Sequence, residues 1–183
     1  MSWEFDILYK FQELHGPVMD KLALLFTMLS EKGVFWIILI LGILLFGKDK
    51  RVGLTGWFAL CLSFLLCNLI LKNIIQRDRP CWIDPTIQLL VDIPDDYSFP
   101  SGHTSFAFAG AVSIFQYHKG WGFLALIAAT LTGLSRLYLF VHFPTDVLVG
   151  AICGIVSGLL AGLLVRDFYK AHPGFKIPVL EKR

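Results

Sequence analysis

The stretch VGLTGWFALCLSFLLCNLILKNIIQRDRP, residues 52–80, decides the fold. Its first part, Val52 to Leu71, runs for 20 residues without a charged side chain, the length of a helix that crosses the hydrocarbon core of a bilayer. Lys72 ends that run, and Arg79-Pro80 follows after six intervening residues, so two cations sit together where the helix leaves the apolar layer. Working outward, further apolar stretches lie at Val18 to Ser30, Val34 to Phe46, Thr104 to Tyr117, Trp121 to Phe140 and Asp146 to Val165. The expected fold is therefore all-α, a polytopic membrane protein with six transmembrane helices in one bundle and one membrane-embedded domain over residues 1–183. Several of these stretches fall short of the roughly 20 residues a crossing needs, so extension into flanking residues or local thinning of the bilayer is expected as well. Gly16-Pro17 suits the start of the first span, because proline at a first helical position forfeits no hydrogen bond, and Glu31-Lys32-Gly33 suits the turn after it.

Composition agrees with this reading. The chain has 183 residues, 56% of them hydrophobic, against about 45–50% in ordinary soluble proteins. Its mean hydropathy is +0.67. A net charge of +2, with basic residues scattered over loops, argues against nucleic acid as a partner. The four cysteines have neither zinc-ligand spacing nor the pattern of a disulfide framework. Glu4, Asp6 and Glu13 among aromatics do not make a signal peptide, and residues 1–16 are expected either as an amphipathic helix in the headgroup region or as a polar tail.

Lys48, Lys50, Arg51, Lys119, Arg166, Lys170, Lys176, Lys182 and Arg183 follow alternate spans, which places those loops and the 166–183 tail on the cytoplasmic side. Residues 72–103 and 136–145 then face the other side of the plasma membrane. Lys72, Arg77, Arg79 and Arg136 oppose the positive-inside tendency there, as phosphate-binding residues do; for Arg77 alone, helix capping or snorkelling is the preferred explanation. In the long connection, Ile87, Leu89, Leu90, Val91 and Ile93 suit a dip into the outer leaflet, the lining of a substrate entrance, or a packed loop helix.

Pro100-Ser101-Gly102-His103 begins the fourth span, and Ser135-Arg136, His142 and Asp146 bracket the junction of the last two. Three fixed cations, a glycine turn, two histidines and a carboxylate supply what metal-free phosphoryl transfer requires: a cage, a nucleophile and a proton donor. In their order and spacing these three fragments resemble the signature of the type 2 phosphatidic acid phosphatase superfamily. The resemblance implies a six-helix membrane lipid phosphatase that works through a phosphohistidine and is similar to small bacterial members of envelope lipid recycling.

The residues support roles of their own. His142 is the candidate nucleophile, and Asp146, four residues on, is placed to accept one imidazole N–H and free the other nitrogen. His103 is the candidate general acid and base. Lys72, Arg79 and Arg136 form the cage; Gly102 allows close backbone approach at a helix N-terminus, and the Ser101 hydroxyl and Gly102 N–H are expected to donate to phosphoryl oxygens, a role compatible with Ser101 also capping the helix. Asp84, Asp92, Asp95 and Asp96 match no metal loop and are expected to be solvated, while Asp78 orients the arginines beside it or faces water. No metal or other cofactor is expected. The substrate class is a membrane lipid phosphate or diphosphate, with undecaprenyl diphosphate favoured and phosphatidylglycerol phosphate or phosphatidic acid as alternatives. A lipid phosphotransferase, or a transporter or binding protein, are the competing functions; the oligomeric state is left open.

Overall fold

Four glycines set a close helix contact. The final helix runs from Pro144 to Ala171 (α9), and Gly150, Gly154, Gly158 and Gly162 fall at every fourth position, so they share one face. A Cβ built on Gly150 would lie 2.6 Å from the Ser101 carbonyl oxygen, and one on Gly154 would lie 2.3 Å from that of Ser105. Small residues let two backbones approach where bulky ones would hold them apart. The helix seated on this stripe is α7, Gly102–Tyr117. Gly154→Leu is accordingly expected to lower the midpoint of thermal unfolding in detergent, since overpacking costs about 1–3 kcal/mol or more. Gly120→Leu, with nothing within 4 Å of its Cβ position, serves as the neutral comparison.

The computed structural model describes residues 2–29 and 33–174. Within them the chain forms α1 (Ser2–Gln12), α2 (Pro17–Leu29), α3 (Val34–Phe46), α4 (Lys50–Ser63), α5 (Lys72–Ile75), α6 (Pro80–Ile83), α7, α8 (Lys119–Tyr138) and α9. A π-helical stretch, Phe64–Leu71, joins α4 to α5 without a break. Helix α7 packs on both α8 and α9, α4 closes against α9 and α7, α3 lies on α4, and α2 lies on α8. Ser63 and Cys67 both meet the Ser105 hydroxyl, Cys67 Sγ at 3.2 Å, which ties the α4 side to α7 by hydrogen bonds inside the apolar layer.

Helices occupy all six expected apolar stretches. Three of them, the run starting at Lys50, α8 and α9, have the length and composition to cross a membrane, and α3 is apolar but shorter. At 13 and 16 residues, α2 and α7 are shorter than the ~20 of a full crossing. Helix α2 begins at Pro17, as expected; the proposed turn at Glu31-Lys32 and the basic residues beyond 174 lie outside the described residues.

The N-terminus is a helix and not a loose tail. Leu8 is fully buried, and Phe5 packs edge-on against the Phe143 ring at 5.3 Å. Residues 84–101 form no helix among the described residues, which sets aside the loop-helix reading. Leu89, Leu90 and Val91 instead pack against the same cluster as α1 and line the cavity described next.

Candidate active site

Helix ends bring the site together. Gln76, with φ 47°, terminates α5, so the chain turns back just after Lys72 and carries Arg77 and Arg79 under the bundle. Pro80 then starts α6. On the opposite wall, α8 ends after Tyr138, and the segment 139–143 passes through the protein interior to the start of α9. His142 lies in that segment and is 1% exposed.

Its two ring nitrogens have different neighbours. Arg79 Nη1 lies 3.2 Å from Nε2, and a guanidinium can only donate, so Nε2 presents its lone pair. The ring proton therefore belongs on Nδ1, which faces Asp146 Oδ2 at 3.6 Å and Ser98 Oγ at 3.5 Å. The 3.6 Å separation is longer than a hydrogen bond, and Ser98 fills the step by donating to Asp146 Oδ2 at 2.5 Å. Asp146, fully buried, also accepts the Phe143 N–H at 2.8 Å and Arg77 Nη1 at 2.7 Å. The carboxylate is thus fixed from three directions before it meets the imidazole.

In front of His142 lies a cavity of about 1040 Å³ that Lys72, Arg79, Gly102, His103 and Arg136 also line. All three cations are at most 8% exposed. Asp96 bridges two of them: its carboxylate pairs with Lys72 Nζ and accepts Arg79 Nη2 at 2.5 Å. Burial works to raise the Asp96 carboxyl, but the hydrogen bond from Lys72 and the charges of Arg79 and Lys72 outweigh it and hold the group at about 2. In His142, burial first, then Arg79, Arg136 and Lys72, push the imidazole well below the usual histidine range. Arg136 Nη1 donates to Thr27 Oγ1, which joins the cage to α2. Gly102 leaves room for Asn68: a Cβ there would lie 2.7 Å from Asn68 Oδ1, and the amide would have to turn away.

The expected residues Lys72, Arg79, Gly102, His103, Arg136 and His142 thus line one cavity, with Asp146 directly behind it. Ser101 stands apart from them. Its hydroxyl accepts from Thr104 N–H at 3.5 Å and Thr104 Oγ1 at 2.9 Å, and its own N–H donates to the Asp146 carbonyl at 3.0 Å, so Ser101 caps α7, a role compatible with a phosphate ligand.

Two expectations are corrected. Arg77 neither caps nor snorkels; it reaches inward to Asp146, Thr145 and Glu4, over the Phe143 ring. Asp96 is exposed, as are Asp78, Asp92 and Asp95, but it is not a freely solvated charge, because Lys72 and Arg79 hold it. Ser98, Glu4 and Asn68 carry no motif and were not singled out by sequence; for Ser98 the nearest signal is its place three residues before Ser101.

Comparison with known proteins follows this geometry. The PAP2 superfamily profile matches residues 54–170, which contain every cavity residue named above except Thr27. An undecaprenyl-diphosphatase of Sulfolobus acidocaldarius is 34% identical over 134 residues, covering 71% of this chain and 64% of that protein. The chain thus spans less than two thirds of that relative's length. Undecaprenyl-diphosphatase BcrC of Bacillus subtilis is 28% identical over 152 residues, covering 80% of this chain and 75% of its own. Among solved structures, Aquifex aeolicus LpxE superposes with a TM-score of 0.78 at 28% identity, over 88% of this chain and 95% of that one. The PAP2-type phosphatidylglycerolphosphate phosphatase of Bacillus subtilis gives 0.70 at 29% identity, over 96% and 88%. With more than half of its length matched by the profile, and with the cations and histidines of its three fragments gathered around one cavity, the chain belongs to the PAP2 superfamily.

Proposed function

We propose that this protein is a multi-pass membrane phosphatase that hydrolyses a lipid phosphate or diphosphate through a phosphohistidine on His142, with undecaprenyl diphosphate as the favoured substrate. The observation that carries the reading is the asymmetry of His142: Nδ1 faces Ser98 and Asp146 while Nε2 faces the caged cavity. Lys72, Arg79 and Arg136 hold the terminal phosphoryl oxygens, displacing Asp96 from its pairing. Arg79 Nη1 turns from Nε2 to a phosphoryl oxygen, and the freed Nε2 lone pair attacks phosphorus as the bond to the lipid oxygen breaks and His103 gives that oxygen a proton. Water, deprotonated by His103, then cleaves the P–N bond and releases inorganic phosphate.

Leu24, Met28, Phe64 and Phe106 line the same cavity beside the cations and suit the first carbons of a lipid tail. The names of the two undecaprenyl-diphosphatase relatives favour the diphosphate substrate. All six apolar helices cross in this reading, with Lys50, Lys119 and Lys170 at the cytoplasmic end and the cavity at the extracytoplasmic face of the plasma membrane. Helix α1 lies in the headgroup layer.

Purified protein in detergent is expected to release phosphate from undecaprenyl diphosphate faster than from phosphatidylglycerol phosphate or phosphatidic acid, with full activity in EDTA. A preference for either glycerolipid would overturn the substrate; loss of activity in chelator with rescue by magnesium would overturn the metal-free mechanism. The pH dependence of kcat/KM is expected to be a bell. His142 must be unprotonated at Nε2, and its lowered pKa puts the acid limb below about 6.5, the ordinary histidine value. The alkaline limb marks loss of the proton His103 donates. Activity rising steadily into alkaline pH contradicts this pair of roles.

A further inference from the structure

Arg77 has no place in the phosphate cage. It does not line the cavity, yet its half-buried guanidinium turns inward to three partners. Nη1 donates to Asp146 Oδ1 and Thr145 Oγ1, each at 2.7 Å, and Nη2 donates to Glu4 Oε2 at 2.6 Å. The guanidinium carbon lies 3.9 Å from the centre of the Phe143 ring, whose backbone N–H donates to Asp146. The Arg77 carbonyl accepts the Ser98 N–H at 2.8 Å, so the same residue also fixes the serine that bridges Asp146 and His142. Glu4, 5% exposed, completes the arrangement by accepting Thr145 Oγ1 at 2.7 Å on its other oxygen. Glu4 belongs to α1 and lies outside the residues the superfamily profile matches.

These contacts form one chain: Glu4 to Arg77, Arg77 to Asp146, Asp146 with Ser98 to the Nδ1 side of His142. A fully buried carboxylate is costly unless a cation and hydrogen bonds compensate it, and a guanidinium held at both ends gives its partner one orientation. We infer that Arg77, anchored by Glu4 of the N-terminal helix, is a positioning residue that sets Asp146 and so fixes His142 in the tautomer whose Nε2 attacks phosphorus. The inference deepens the phosphohistidine reading and rests on it. It makes α1 part of the catalytic apparatus although no residue of α1 touches the substrate.

The test compares Arg77→Gln, Arg77→Lys, Glu4→Gln and the double variant Arg77→Gln/Glu4→Gln with the wild type. For Arg77→Gln, kcat is expected to fall about 10- to 100-fold, as for loss of a group that orients a base. KM and inhibition by vanadate should change little, because Lys72, Arg79 and Arg136 are untouched. Arg77→Lys should recover part of kcat, since one ammonium can serve Asp146 but cannot also hold Glu4. Glu4→Gln should lose several-fold in kcat, and the double variant should lose little more than Arg77→Gln alone.

The second readout is the 15N spectrum of histidine-labelled protein. The wild type should show His142 with the proton on Nδ1, and Arg77→Gln should show a mixture of tautomers. This measurement needs no substrate, so it separates failure of the positioning chain from failure of the phosphatase reading. Unchanged kcat and tautomer in Arg77→Gln would overturn the inference. So would a fall in vanadate binding matching that in kcat, which is the mark of a collapsed site. Should Arg77→Gln fail to fold, Glu4→Gln carries the same readouts: an unaltered kcat and tautomer there would overturn the part assigned to α1.

Discussion

Phosphate release by His142→Ala is expected to fall about 10³-fold or more below wild type, to the level of a site that binds its substrate without attacking it. The size of the effect follows from the covalent role. The cage can hold a phosphoryl group, but among the described side chains lining the cavity it is His142 whose nitrogen lone pair is directed by a carboxylate behind it. The side chain is buried, so its loss also leaves a small void, which truncation of a packed residue makes costly by about 1–3 kcal/mol. Thermal unfolding and vanadate binding distinguish the two effects. A folded variant that still binds vanadate yet releases no phosphate is the expected result. Release within about tenfold of wild type would remove His142 from the chemistry.

Arg79 should rank second. It spreads its donors over the Asp96 carbonyl at 2.7 Å, the Val141 carbonyl at 2.7 Å and Asp96 Oδ1 at 2.5 Å, and touches His142 Nε2. One planar group therefore ties the loop carrying Asp96 to the segment carrying His142, and it lines the cavity in which the proposed reaction places the phosphoryl group. For Arg79→Ala, kcat/KM is expected to fall about 10³-fold, the scale on which arginines assist phosphoryl transfer. Arg79→Lys should recover little, because an ammonium lacks the fork that serves several acceptors together. The pH profile should move too. Arg79 is the foremost of the charges depressing the His142 pKa, so its removal raises that pKa and shifts the acid limb to higher pH. Little change in kcat/KM, or an acid limb that stays in place, would take Arg79 out of the site.

Much of this architecture was legible in the sequence because its signals are local. An uncharged run of the right length ending in Lys72, a proline at the first position of α2 and of α9, and a serine ahead of Gly102 each specify a helix or its boundary without reference to the rest of the chain. Cage residues were legible for a related reason: arginine and lysine at the end of an apolar run are costly enough there to need an explanation. What sequence did not disclose depends on long-range pairing. Glu4 meets Arg77 73 residues away, and Asp96 reaches back 17 residues to Arg79. Nothing in the local pattern separates Asp96 from Asp92 and Asp95, which are exposed as it is; its pairing with Lys72 and Arg79 comes from where the loop folds. Arg77 was misread because its two neighbours in the chain, Gln76 and Asp78, are polar, and a charge flanked by polar residues reads as a surface group. Ser101 shows the converse case, in which a residue within a motif serves the helix end and the backbone of Asp146 while its neighbour Gly102 faces the cavity.

A covalent bond between His142 and phosphorus underlies each of these expectations, and it can be trapped. Protein mixed with undecaprenyl diphosphate is quenched in alkali within a turnover, digested, and its peptides weighed. The account predicts a phosphate on the peptide containing His142, stable in base, lost in acid, and absent from His142→Ala. Active protein that yields no phosphopeptide at any quench time, and that releases phosphate with inversion at an isotopically chiral phosphorus, the mark of one direct displacement by water, would contradict it.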